Sequence, residues 1–259
     1  MNTPLLQTND LDVTVGERML IEGLTLTLWP GQRLAVLGQN GSGKTSLLHS
    51  LMGLRPAAGG SIKLKQRLLT AWPRRELARH IGLLFQQVQD DMPSSVYETA
   101  MLGRLPHAGS WQWENDEDVA AVEEALQAMQ LLDVTGRDVS ALSGGERQRL
   151  AIASLWAQNP LVYLLDEPAN HLDISFQIKV LQLFRERVQN RNQAFVMATH
   201  DINLVSAFCD RVLLLYGNGQ FRLGGTEDIL TDAILSEAYE CDIRHVEVDG
   251  NRIFFVKVR

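Results

Sequence analysis

One stretch, Gly38-Gln39-Asn40-Gly41-Ser42-Gly43-Lys44-Thr45, limits the folds open to this chain. It follows the apolar run Leu34-Ala35-Val36-Leu37 and precedes Ser46-Leu47-Leu48-His49-Ser50-Leu51-Met52, whose apolar positions recur at helical spacing. Strand, glycine loop and helix in that order are the setting in which G-x-x-x-x-G-K-S/T cradles phosphate. Gly38, Gly41 and Gly43 let the backbone bend tightly, so that consecutive N–H groups point at phosphate oxygens. The helix starting near Lys44 adds unpaired N–H groups and the positive end of its dipole. Lys44 is expected to reach the β- and γ-phosphates, and Thr45 to offer its hydroxyl to Mg²⁺. The chain is therefore expected to bind a nucleoside triphosphate on an α/β core.

Two further strand ends point to the same edge. Leu161-Val162-Tyr163-Leu164-Leu165 is apolar on both faces, as a central parallel strand is, and runs into Asp166-Glu167-Pro168. Ligands of a doubly wound sheet lie beyond the carboxyl ends of its strands. Asp166 there suits the Mg²⁺ shell beside Thr45, and Glu167 suits polarisation of the attacking water. Ala194-Phe195-Val196-Met197-Ala198 repeats the arrangement and ends in Thr199-His200-Asp201, which brings His200 toward the γ-phosphate.

A second anion-facing surface lies about a hundred residues downstream of the glycine loop. In Leu142-Ser143-Gly144-Gly145-Glu146, Ser143 and Glu146 have the spacing of a capping box, which starts a helix running toward Gln158. Gly144 and Gly145 leave the first N–H groups of that helix bare. Two such surfaces imply either two nucleotides or one nucleotide held between two chains.

The remaining chain fits around these points. Leu11, Val13 and Val15, and then Leu24, Leu26 and Leu28, alternate with polar residues as half-buried strands do. Pro73 opens a helix through Arg79, and its arginines, Arg74, Arg75 and Arg79, read as a solvated face. Ile81 to Phe85 is a buried strand ending in Gln86-Gln87, and the stretch from Trp111 to Asp118 is loop-like. Val119, Val122, Ala125, Leu126, Met129 and Leu132 form an apolar helical stripe. The expected organisation is one domain over 1–259: an α/β core from 1–86 and 159–259 with an antiparallel β subdomain, and a helical subdomain inserted at 87–158. Gly217-Asn218-Gly219 and Asp249-Gly250 are hairpin signals near the end.

Composition narrows the partners. A net charge of −7 argues against a general nucleic-acid binder. The first residues have neither the basic nor the apolar region of a secretory leader, no apolar run approaches the roughly 20 residues of a membrane span, and Cys209 and Cys241 lack metal-ligand spacing. A cytoplasmic protein is expected.

Taken together, these motifs resemble the nucleotide-binding subunit of an ABC transporter over almost the whole length. The resemblance rests on Gly38 to Thr45, Gln86, Leu142-Ser143-Gly144-Gly145-Glu146, Leu164-Leu165-Asp166-Glu167-Pro168, Asn170-His171-Leu172-Asp173 and Thr199-His200-Asp201, in the family's order. It implies a P-loop ATPase using ATP and Mg²⁺, with two copies packed head to tail. Ser143 and Gly144 of one copy, with Gly145, then close over the γ-phosphate held by Gly38, Gln39, Asn40, Gly41, Ser42, Gly43, Lys44 and Thr45 of the other. It further implies that Gln86 senses Mg²⁺ and the attacking water, with Gln87 as the fallback, that Asp173 communicates across the dimer, and that Glu167 and His200 serve hydrolysis. The implied partners are integral-membrane permease subunits and, indirectly, an extracytoplasmic solute-binding protein, with the chain on the cytoplasmic face of the cell membrane.

Gly103-Arg104-Leu105-Pro106-His107, His171-Leu172-Asp173-Ile174, His200-Asp201-Ile202-Asn203 and the tail around Ala238-Tyr239 are similar to the ATPases of metal-chelate importers for iron–siderophore, haem or cobalamin. The alternative is a soluble relative using ATP-driven dimerisation as a switch; the tandem domains, coiled-coil arms or zinc insertions usual there are not evident in this sequence. One position departs from the family. An aromatic ring for adenine usually precedes the glycine of the first strand, whereas Val15 precedes Gly16 here. Valine lacks a flat π-surface, so phosphate contacts should carry most of the affinity and base discrimination should be weak. The competing expectation is another aromatic, from elsewhere in the chain or from the partner subunit; Trp29 and Trp72 are conceivable, and nothing in their spacing favours either.

Overall fold

Strand residues of alternating parity point to opposite faces of a sheet, and here that alternation divides the core in two. The structure, a computed structural model, describes residues 3–85, 93–108 and 115–258. Its first half contains β1 (Leu6–Val15), β2 (Arg18–Leu28), β3 (Arg33–Gly38), α1 (Lys44–Leu51), β4 (Gly59–Leu64), β5 (Arg67–Leu68), α2 (Arg74–Ala78) and β6 (Ile81–Leu84). Helices α3 (Val96–Met101), α4 (Asp116–Ala128) and α5 (Gly144–Gln158) follow. The remainder is β7 (Val162–Asp166), α6 (Ile174–Asn190), β8 (Ala194–Ala198), α7 (Ile202–Phe208), β9 (Arg211–Leu215), β10 (Phe221–Gly225), α8 (Thr226–Ile229), α9 (Asp232–Tyr239), β11 (Ile243–Val248) and β12 (Asn251–Val256).

The central sheet has the order β10-β9-β3-β8-β7-β6, parallel from β9 to β6 with β10 antiparallel at one edge. A second sheet, β2-β1-β4-β5, is antiparallel. Leu34, Val36, Leu164, Val196 and Leu213 pack toward the antiparallel sheet, with Leu47, Leu48 and Leu51 of α1 in the same cluster. Ala35, Leu37, Tyr163, Leu165, Phe195 and Met197 pack on the other face with residues of α3 to α7. β7 and β8 are buried at every position, which is why they read as unbroken apolar runs. Among the described residues no helix is long and apolar enough to cross a membrane.

Two local readings need correction. The Trp111-to-Asp118 stretch is not loop throughout: α4 begins at Asp116, because the Asn115 side chain caps it by accepting from Asp118 N, and Asp116, Glu117 and Asp118 face the positive end of the helix dipole. Asp118 is buried, while Leu132, expected on the apolar stripe, is 40% exposed. Arg74, Arg75 and Arg79 are exposed, as a solvated face requires, and Arg75 Nε and Arg79 Nε also donate to Pro106 O, at 3.3 and 2.7 Å.

Asp118 is buried for a reason. Arg104 Nε donates to its Oδ1 at 2.7 Å, and Arg104 Nη1 donates to Ala157 O at 2.8 Å, so one ion pair joins the segment after α3 to α4 and the end of α5. The two side chains are only 7% and 2% exposed. Breaking a buried pair from one side leaves an uncompensated charge and costs about 3–5 kcal/mol. Asp118→Ala should therefore lower unfolding stability by about 3 kcal/mol or more in urea titrations. A loss below about 0.5 kcal/mol, the usual effect of a surface substitution, would contradict this.

Candidate functional site

Register decides which residues meet. Gly38 pairs with Leu215, and Val36 and Asp166 both pair with Ala198, so β3, β7 and β8 end at one edge of the sheet. The glycine loop, Asp166-Glu167 and Thr199-His200 are thereby brought together.

Within the loop, Gly38 has φ +148° and Gly43 has φ +110° as the left-handed N-cap of α1. A Cβ on Gly38 would lie 2.5 Å from both Leu215 O and Ser42 Oγ, so the first turn closes only on glycine. Ser42 Oγ is buried without a hydrogen-bond partner among the described residues, an orphaned polar atom inside the cradle. Lys44 Nζ donates to Gly38 O at 2.8 Å and to Gln39 O at 3.3 Å. Burial holds its ammonium below the ordinary lysine range, against the opposing pull of Glu167 and Asp166. A buried cation bonded to loop carbonyls, bare helix N–H groups and an unpaired hydroxyl fit a triphosphate.

Thr45 and Asp166 stand together beside the loop. Burial pushes the Asp166 carboxyl above its usual range; the Thr45 hydroxyl acts in the opposite direction by hydrogen bonding, and Glu167 adds to the upward push. These are hard oxygen donors, and among the described residues no group of three or more His, Cys, Asp or Glu forms a full metal cage. That donor set fits Mg²⁺, which usually takes one or two protein oxygens together with phosphate and water. Gln86 and Gln87 lie outside the described residues.

Glu167 follows β7 in the left-handed region at φ +50°, uncommon for a non-glycine residue, and its N–H donates to Ala198 O at 2.9 Å. Its carboxylate is buried and lies 3.0 Å from His200 Nδ1, on an imidazole that is 64% exposed. The two residues placed near the reacting phosphate by sequence are thus paired with each other.

The second surface stands apart. Ser143 and Glu146 form both halves of the capping box, at 2.8 and 3.2 Å. Ser143 and Gly144 are exposed, and a Cβ on Gly144 would meet nothing within 4 Å. Neither they nor Gly145 and Asp173 line the phosphate-loop cavity, which holds about 580 Å³ and runs from Lys44 and Asp166 to Val15 and Arg18. Asp173 caps α6, its Oδ1 accepting from Phe176 N at 2.9 Å and Ser175 Oγ at 2.6 Å, and these bonds hold its carboxyl below the usual range. The next residue, Ile174, is 79% exposed.

Sequence reasoning missed two neighbours of the loop. Gln39 Nε2 donates to Ala238 O at 3.0 Å, tying the end of α9 to the phosphate loop across 199 positions, and no local signal foretells it. Arg18 lines the cavity, and here a signal existed: the turn at Gly16-Glu17 pairs Val15 with Arg18.

Ionised Asp166 destabilises the ligand-free fold, since its folded pKa is raised. The cost is absent below the unfolded carboxylate pKa, grows as pH rises between the unfolded and folded values, and is complete above both. Asp166→Asn should raise the Tm of the ligand-free protein at pH 8 by about 2–4 °C for each kcal/mol relieved, with the gain vanishing toward pH 3. An unchanged or lowered Tm at pH 8 would contradict this.

The sequence profile of the ABC transporter family matches residues 21–170. The chain is 39% identical over 231 residues to the hemin import ATP-binding protein HmuV of Streptomyces coelicolor, covering 89% of this chain and 81% of that protein. It is 33% identical to the petrobactin import ATP-binding protein FpuD of Bacillus anthracis, covering 92% and 88% respectively. A solved structure described as a metal-chelate type ABC transporter in an inward-facing conformation superposes with a TM-score of 0.84 at 28% identity, over 99% of this chain and 98% of that one. The chain belongs to the ABC transporter family, as one of its ATP-binding, ATP-hydrolysing proteins.

Proposed function

We propose that this ATPase energises uptake of a metal chelate, such as iron–siderophore, haem or cobalamin, through membrane permease subunits. It does so as a head-to-tail pair on the cytoplasmic face of the cell membrane, with an extracytoplasmic solute-binding protein feeding the permease. The reading is supported by relatives named for hemin and petrobactin import and by the likeness to a metal-chelate type transporter. The observation that carries the paired arrangement is the separation of the exposed capping box at Ser143 from the cavity at Lys44. One chain presents both halves of a site and does not join them.

In the proposed cycle, Gly38 to Thr45 hold the phosphates by backbone N–H groups and Lys44 neutralises them. Thr45 and Asp166 would hold Mg²⁺, which would supply charge stabilisation at the phosphates when bound. Ser143, Gly144 and Gly145 of the second copy cover the γ-phosphate, and Asp173 lies at the junction. Glu167 accepts the proton of the attacking water, a role worth about 10²–10⁴-fold. It can do so once His200, 3.0 Å away in this chain, turns to the γ-phosphate. Gln86 would complete the link to the permease.

Glu167→Gln should bind ATP normally, hydrolyse it about 10²–10⁴-fold more slowly, and abolish uptake of one of labelled haem, ferric siderophore or cobalamin in cells whose only copy carries the change. Undiminished uptake of all three would refute the import reading. Undiminished hydrolysis by the purified variant would refute the role of Glu167.

A further inference from the structure

Among the described residues, the outer end of the phosphate-loop cavity is lined by no aromatic ring, but it has a flat group. Val15 and Arg18 are cross-strand partners at the β1–β2 turn, and Leu20 lies two residues further along the same strand. Opposed residues of an antiparallel pair share a face, as do alternate residues of one strand. Leu20 marks the inner limit of this face, since a Cβ on Gly43 would lie 3.0 Å from Leu20 Cβ. Two residues of strand, about 7 Å, separate it from Arg18. A ribose bridges such a step, so a nucleotide whose phosphates sit at Gly43 and Lys44 carries its base to Arg18 and Val15.

The Arg18 guanidinium is held in place. Its Nε and Nη2 both donate to Gly217 O, at 3.2 and 2.8 Å. Gly217 has φ +77°, and a Cβ there would stand 3.0 Å from Ser42 Cα and 3.3 Å from Arg18 Nη2, so the seat depends on glycine. Both bonds use one edge of the guanidinium plane, so a base can stack on its face without breaking either. Of the tryptophans among the described residues, neither Trp29 nor Trp72 competes for the role. Trp72 packs between Arg67 and His80, with centroid distances of 4.8 and 4.9 Å, and Trp29 lies just beyond the far end of β2.

We propose that Arg18, with Val15 beside it, is the platform on which the nucleotide base stacks, and that it favours purine over pyrimidine triphosphates without separating adenine from guanine. A guanidinium stacks on any π-face, more strongly on a larger one. Its bonded edge is committed to Gly217 and does not read the edge of the base. The inference rests on the nucleotide occupying this cavity and concerns only the base end.

Competition titrations against a ribose-labelled fluorescent ATP test it, using ATP, GTP, CTP and inorganic tripolyphosphate on the full chain. Wild type should bind ATP and GTP within a few fold of each other and CTP more weakly. Arg18→Ala should weaken ATP and GTP about five- to thirtyfold while changing tripolyphosphate less than about twofold. Arg18→Lys keeps the charge but loses the plane, and should not restore ATP affinity. Arg18 is exposed, so both variants should keep the wild-type Tm, and the lysine variant alone suffices if the alanine variant does not fold. Equal losses for tripolyphosphate, or full rescue by lysine, would make Arg18 a phosphate ligand and overturn the proposal, as would unchanged ATP affinity in Arg18→Ala. Failure of wild type to bind tripolyphosphate or ATP would instead overturn the placement of the nucleotide.

Discussion

The site depends on one close approach. At Gly38 the chain leaves the central strand with so little room that a side-chain carbon would stand 2.5 Å from Leu215 O and from Ser42 Oγ. That contact turns the loop back over its own strand and starts α1 above the sheet edge. The Lys44 ammonium then folds onto the Gly38 and Gln39 carbonyls, buried and held below its ordinary range. Parallel pairing of β3, β8 and β7 does the rest, because strands in register end together. Asp166, Glu167 and His200 arrive at the loop as a consequence of the sheet.

The ligand-free chain carries costs that a ligand can relieve. Asp166 is a buried carboxylate pushed above its usual range, Ser42 has a hydroxyl unpaired among the described residues, and Glu167 has a left-handed backbone. Unfavourable features of this kind concentrate at functional sites. The capping box at Ser143 is the opposite case: it is locally satisfied, exposed, and separate from the cavity. On the reading proposed above, it serves another chain's nucleotide.

Much of this was legible in sequence because it is written locally. The glycine loop, the capping box at Ser143 and Glu146, the buried runs of β7 and β8, and the hairpins at Gly217–Gly219 and Asp249-Gly250 all follow from short-range rules. What escaped is long-range or runs against composition. Asp118 reads as one acid in an acidic stretch, and only Arg104, 14 positions earlier, explains its burial. The bond from Gln39 to Ala238 has no local signature at all. Arg18 lies between these extremes, since its partner across the turn was visible while the cavity it lines was not. The contact between His200 and Glu167 was implied only as shared proximity to phosphate, and their direct pairing needed coordinates.

The central claim is that the phosphate loop of one chain and the Ser143 surface of another make one hydrolytic site. A Lys44→Ala chain lacks the loop's cation, and a Ser143→Arg chain blocks the covering surface, so each alone should be inactive. A mixed dimer assembles one intact site from the two sound halves. Equal mixing should therefore restore up to about a quarter of the wild-type sites, because half the dimers are mixed and each has one good site of two. ATP hydrolysis by differently tagged chains, with mixed dimers isolated through both tags, gives the answer. Recovery of activity in that fraction is the predicted result; mixed dimers as inactive as either parent would contradict the shared site.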